Sequence, residues 1–191
     1  SIDGEAGTDT LDLSAAATTN ATLSGSDGDV FAGTSVTNVS AGFDGINTRT
    51  GGAAGTLTGR DTASTWALDG TPTYNDGSNT LEFTGFATLQ CGTNTDAFNV
   101  TAASSFDLNG GAANDTFDID AALTGAIDGE AGTDTLQGTE IDTVALSGSD
   151  GDGFARAEAG VTNDFDGIDT LTGTGAGSLS GATAASTWAL D

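Results

Sequence analysis

The sequence predicts an all-β chain wound as a parallel β-solenoid, a β-roll or β-helix with coils of about 19–23 residues and two main strands per coil. Three observations predict it. Leu89, Leu108, Ile127, Leu146 and Phe165 stand nineteen residues apart, and an apolar period of this size marks one unit per coil, stacked on its neighbours. A second apolar register (Phe98, Phe117, Leu136) and a register of aspartates (Asp96, Asp115, Asp134) keep the same period. Within a coil, Phe106-Asp107-Leu108 and Thr116-Phe117-Asp118-Ile119 alternate with period two, as strands do, and Asn109 to Asn114 between them is turn material. No segment has a helical period of useful length.

Along the chain, apolar anchors recur at Ile2, Leu23, Phe43, Trp66, Leu89, Leu108, Ile127, Leu146, Phe165 and Trp188. A longer repeat lies over them. SIDGEAGTDTL at 1–11 returns as AIDGEAGTDTL at 126–136, LSGSDGD at 23–29 returns at 146–152, FDGI at 43–46 returns at 165–168, and ASTWALD at 63–69 returns at 185–191. The expectation is a single continuous solenoid over 1–191, with a first copy of the long repeat at 1–125 (six coils) and a partial copy at 126–191. Beginning and ending partway through a repeat, the chain reads as a window on a longer tandem array. Leu89, Leu108, Ile127, Leu146, Phe165, Trp66 and Trp188 are the expected packing anchors, with acidic and threonine-rich positions turned outward. The coils 66–89 and 165–188 are the least regular. DGTPTYNDGSN at 69–79 holds the only proline and the only tyrosine and reads as a protruding loop.

Composition narrows the functional classes. The net charge is -25, with 28 acidic residues, three arginines, no lysine and no histidine. Nucleic acid and anionic membrane surfaces attract basic protein and are excluded as partners, whereas multivalent cations are favoured. Without histidine or lysine there is no ordinary general base near neutral pH, so a non-catalytic protein is expected. No apolar run approaches the length of a membrane span. The single cysteine, Cys91, makes no internal disulfide and reads as a small buried residue. An acidic chain rich in Gly, Thr, Ala and Asp and without lysine suits an extracellular, marine or saline setting.

Gly4 to Asp12, Gly110 to Asp118 and Gly129 to Gln137 resemble the calcium-binding nonapeptide GGxGxDxUx of RTX proteins. Cys91 to Asn99 keeps the aspartate and the apolar residue, and Ser147 to Phe154 and its twin at 24–31 keep D-x-apolar in a shorter turn. The resemblance departs from the family in having about one motif per coil where the β-roll has two. It implies glycine turns at Gly4, Gly7, Gly110, Gly111, Gly129 and Gly132, and calcium ligands at Asp96, Asp115 and Asp134. By the same motif it implies ligands at Asp9, Asp27, Asp29, Asp150 and Asp152. Calcium is then the expected cofactor. The resemblance also places the chain with giant bacterial adhesins and repetitive surface fibril proteins, as a calcium-stabilised stalk or filament segment serving adhesion or fibre formation, and implies an extracellular or cell-surface, bacterial-type secreted localisation. Its further partners would be other copies of the repeat, in the same chain or head-to-tail.

A separate argument rests on spacing alone. Aspartates aligned at the strand separation of about 4.8 Å repel by about 3 kcal/mol at an effective dielectric of 20. A bound cation, raised pKa values, or splaying into solvent would each relieve this. The third case corresponds to turn-capping aspartates that accept backbone N–H bonds and hold no metal. An alternative function is a ligand-binding solenoid face for ice or glycan, since Thr10, Thr116 and Thr135 each follow the motif aspartate.

Overall fold

A computed structural model describes residues 1–27, 30–35, 39–149, 151–158, 161–173 and 177–181. Among them every regular element is a strand, two to eight residues long. Alternating side chains broken every few residues by Gly, Asn and Asp favour short strands of this kind. They assemble into two sheets, of thirteen and nine strands among the described residues.

The most regular winding runs over 56–138. The chain crosses the first sheet, turns, crosses the second, and returns one rung along. Thr56–Thr58, Thr88–Gln90, Asp107–Asn109 and Ile127–Asp128 adjoin in the first sheet, and Ser64–Leu68, Asp96–Val100, Thr116–Ile119 and Thr135–Gly138 in the second. Every one of these contacts is parallel. Pairing in register makes one column of Leu57, Leu89, Leu108 and Ile127, and another of Trp66, Phe98, Phe117 and Leu136. Each of these side chains is at most 1% exposed. The Phe98 and Phe117 rings stack with centroids 5.2 Å apart and planes at 8°. Trp66 lies over Phe98 at 5.7 Å and 21°. Burying such a side chain contributes about 1.5–3 kcal/mol, and one coil has nothing to bury it against, so the gain comes from its neighbours.

Antiparallel detours interrupt this winding and displace some expected anchors. Thr73–Asn75 and Thr80–Thr84 form a hairpin in the second sheet, with Tyr74 paired to both Trp66 and Leu81. The segment 69–79 is therefore not a protruding loop, because Tyr74 is fully buried with its ring 4.6 Å from that of Trp66. Trp66 is fully buried, in the Phe98 column and not in that of Leu89. Leu57 takes the first-sheet place before Leu89, since the hairpin occupies the interval from Trp66 to Leu89. Leu146 also leaves its column. Ile127 pairs directly with Phe165, and the intervening chain adds Thr143–Ala145, Gly148–Ser149 and Phe154–Glu158 to the same sheet. Phe154–Glu158 runs antiparallel to the other two and to Val161–Ile168, while Thr143–Ala145 pairs in parallel with Ser178–Ser180. Leu146 lies partly buried at the margin of that detour. Trp188 lies outside the described residues.

The detour at 139–168 has a twin near the other end. Ile2–Asp3, Val39–Ile46, Val30–Ser35, Ala21–Asp27 and Thr56–Thr58 adjoin in that order in the first sheet. Ile127–Asp128, Val161–Ile168, Phe154–Glu158, Thr143–Ala145 and Ser178–Ser180 follow the same order. Even the pairs correspond: Ile2 with Phe43 as Ile127 with Phe165, Leu11 with Arg49 as Leu136 with Leu171. The sequence repeat at 1–46 and 126–168 thus coincides with a repeat of strand order.

Candidate functional site

Asp96, Asp115 and Asp134 stand at the corner where the chain enters the second sheet, each two residues before a core residue: Phe98, Phe117 and Leu136. Residues two apart on a strand share a face, so these carboxylates turn inward and not to solvent. Their exposures are 1%, 1% and 0%. Each carboxylate reaches the adjacent coil. Asp96 Oδ1 accepts the Ser64 amide at 2.7 Å and the Ser64 hydroxyl at 2.6 Å. Asp115 Oδ1 accepts the Asp96 amide, and Asp134 Oδ1 the Asp115 amide, both at 2.7 Å. Asp169 Oδ2 takes the Asp134 amide at 2.9 Å. In the opposite direction the Thr135 amide donates to the Asp115 carbonyl at 2.9 Å, so the same two coils are tied both ways.

The glycines of the motif are explained by this burial. A Cβ on Gly110 would lie 2.7 Å from Asp115 Oδ2, and one on Gly129 would lie 2.8 Å from Asp134 Oδ2. Gly4, Gly110, Gly129 and Gly132 serve close approach, whereas Gly7 and Gly111 have positive φ, 155° and 96°. The left-handed corner itself also falls on non-glycine residues, Glu5 at 57° and Glu130 at 60°.

The second oxygens are left over. Oδ2 of Asp9, Asp96, Asp115 and Asp134 is buried with no hydrogen-bond partner. Burial disfavours the charged form. It raises the pKa of Asp96 and Asp134, and pushes Asp115 up to about 7, with the charges of Asp134, Asp96 and Glu130 adding to the rise. A carboxyl holding its proton on Oδ2 keeps Oδ1 as an amide acceptor and removes the repulsion within the column. Calcium takes about six to eight oxygen ligands. Here one oxygen of each ladder aspartate is committed to an amide, and among the described residues no three carboxylate or thiol groups are placed to hold a metal ion.

The other expected ligands are dispersed. Asp9 sits at the equivalent corner near the chain start, half-buried, its own amide held by Asn47 Oδ1 at 2.8 Å. Asp27 belongs to the Ala21–Asp27 strand, but its side chain is outside what is described, as are Asp29 and Asp150 entirely. Asp152 is exposed and lines a shallow depression with Asp128, Glu130 and Asp166. Cys91 is buried, which pushes its thiol pKa up.

Sequence reasoning missed three members of the ladder: Asn47, Ser64 and Asp169. The signal was present, since each stands two residues before a second-sheet core residue, respectively Arg49, Trp66 and Leu171. Arg49 was also unforeseen. It is fully buried between the rings of Phe43 and Phe86, 5.9 and 5.8 Å from their centroids. Nη1 donates to the Thr50 carbonyl at 2.7 Å, while Nε and Nη2 have no partner. Burial lowers its pKa. Comparison of the chain with protein-family models, curated proteins and solved structures gives no match in any of the three.

Proposed function

We propose that the chain is a non-catalytic structural segment, a parallel β-solenoid that forms a stiff part of a longer secreted or cell-surface protein serving adhesion or fibre formation. The observation that carries this reading is the aspartate ladder. The regular coils are joined by core register in both sheets and by a carboxylate-to-amide bond at the corner, so the buried polar groups are used for stacking. The absence of histidine and lysine from the sequence agrees with a role without acid–base chemistry. A ligand-binding face has weaker support. The outward column Thr65, Thr116, Thr135, Thr170 is interrupted by Ala97, and its outer neighbours Asn99, Asp118 and Gln137 are unlike one another.

The unpartnered Oδ2 atoms favour a second version of the same function, in which calcium instead of protons neutralises the column. Solution scattering from chains carrying one, two and three copies of residues 1–125 tests the structural role. The maximum dimension is expected to grow in equal steps at constant cross-section, and a particle that thickens instead overturns the stalk reading. Melting the same samples with and without EDTA separates the two versions. An unchanged midpoint is expected for the proton-satisfied ladder, and a drop of about 10 °C or more establishes the calcium version.

A further inference from the structure

The strand pair Ile2–Asp3 and Thr10–Asp12 forms an edge of both sheets, each strand having a neighbour on one side only among the described residues. The chain contains the same surface a second time, covered. Residues 1–11 differ from 126–136 only at Ser1 against Ala126, and Ile127–Asp128 and Thr135–Gly138 carry the preceding coil, Asp107–Asn109 with Thr116–Ile119. What that coil supplies is explicit. The carbonyls of Gly111 and Asp115 accept the amides of Ala131 and Thr135, at 2.9 Å each. Asp107 Oδ1 accepts the Ala126 amide at 2.9 Å, and Asn114 Oδ1 the Thr133 amide at 3.1 Å. In return Asp134 Oδ1 receives the Asp115 amide.

At this edge the matching groups have no coil beyond them among the described residues. Ala6, Thr8 and Thr10 correspond to Ala131, Thr133 and Thr135, and Asp9 corresponds to Asp134. Asp9 Oδ2 is buried without a partner just as the covered Asp134 Oδ2 is. The difference lies at the other oxygen, since among the described residues no coil lies beyond Thr10–Asp12 to give the Asp9 carboxylate the amide that Asp134 Oδ1 receives. Ile2 is 39% exposed where Ile127 is 1%, and Leu11 is 6% exposed where Leu136 is 0%. An exposed strand edge with an apolar residue on it is a template for pairing. Resting on the stacking reading above, we propose that the edge formed by Ile2–Asp3 and Thr10–Asp12 docks a parallel coil of the 103–125 type, presented by another copy of the long repeat. The occupant brings one acceptor side chain at the Asp107 position, one at the Asn114 position, and an amide for Asp9. A second whole chain of 191 residues is a poor donor, because its own 107–119 coil is already covered by 127–138. A repeat unit whose last coil is uncovered is the fitting one.

The test extends the full chain by a second copy of residues 88–125 joined directly to Ser1, which recreates the junction found at Gly125–Ala126. Amide hydrogen exchange is then read residue by residue with and without the extension. Exchange at Ala6, Thr8 and Thr10 is expected to slow by about 100-fold or more, as for amides that enter a stable ladder. Ala131, Thr133 and Thr135, covered in both chains, serve as the internal reference. If the reference amides are protected but Ala6, Thr8 and Thr10 exchange equally in both chains, the docking proposal is overturned and the stacking reading stands. An extension that stays unprotected on this edge overturns it equally. If the reference amides themselves exchange freely, the stacking reading fails and the proposal falls with it.

Discussion

The two large detours, spanning Ile2 to Thr58 and Ile127 to Ser180, share their strand order and differ in chemistry at two matched positions. In the first, Asn47 accepts the corner amide and Arg49 fills the buried place beside Leu11; in the second, Asp169 accepts the amide and Leu171 sits beside Leu136. The ladder therefore requires an acceptor and not a charge. The core place requires bulk, which an arginine can supply when aromatic rings flank its guanidinium, here Phe43 and Phe86. What the first detour adds is a cost, a buried cation whose Nε and Nη2 lack partners.

The largest expected effect tests whether the columns outweigh the detours. Phe117→Ala removes a fully buried ring stacked on Phe98 and should cost about 3–5 kcal/mol in urea or thermal unfolding. Leu146→Ala, in the detour and only partly buried, should cost about 1 kcal/mol or less. Equal losses at the two sites would mean that the nineteen-residue period carries no special share of the stability.

A smaller effect of opposite sign sharpens the contrast between the copies. Arg49→Leu gives the first detour the residue of the second. It removes an incompletely satisfied buried charge and should stabilise by about 1–4 kcal/mol. The lost bond to the Thr50 carbonyl offsets part of this. Destabilisation would show that the guanidinium is a structural pin and that the two copies are held by different means.

Much of this architecture was legible because stacking in register converts a spacing in sequence into a contact in space. Leu89, Leu108 and Ile127 needed nothing more. Leu146 kept the spacing and still left the column, since a hairpin detour can use as much chain as a coil, and no local pattern separates the two. Trp66 was shifted for a related reason, with the Tyr74 hairpin occupying the interval before Leu89. The inward turn of the aspartates was readable and went unread. Asp96 and Phe98 are two apart, so the alternation that buries Phe98 also buries Asp96. Charge argued for solvent, and strand parity won because the neighbouring coil supplies an amide at that corner. Arg49 could not be foreseen, because its burial depends on Phe43 and Phe86, which the chain brings together only through the detour.

The smallest effect lies in the pH dependence of the ladder. Asp115 has a pKa of about 7 when folded, above an ordinary carboxylate. A raised folded pKa contributes stability that is fully present below the unfolded value near 4 and is lost as pH rises through the folded one. The ladder should therefore be firmest in mild acid and weaken between pH 4 and about 7. Repulsion among the 28 acidic residues slopes the same way, so the variant must isolate the ladder. Asp115→Asn keeps an Oδ1 acceptor for the Asp96 amide, as Asn47 does for Asp9, and cannot ionise. Its new Nδ2 donor, placed where Oδ2 had no partner, cancels part of the gain. The expected outcome is a stabilisation of about 1–2 kcal/mol at pH 8 that shrinks to zero or reverses at pH 4, read from urea midpoints at both values. A pH-independent difference would mean that Asp115 carries its charge at both pH values, and that something other than a proton neutralises the column.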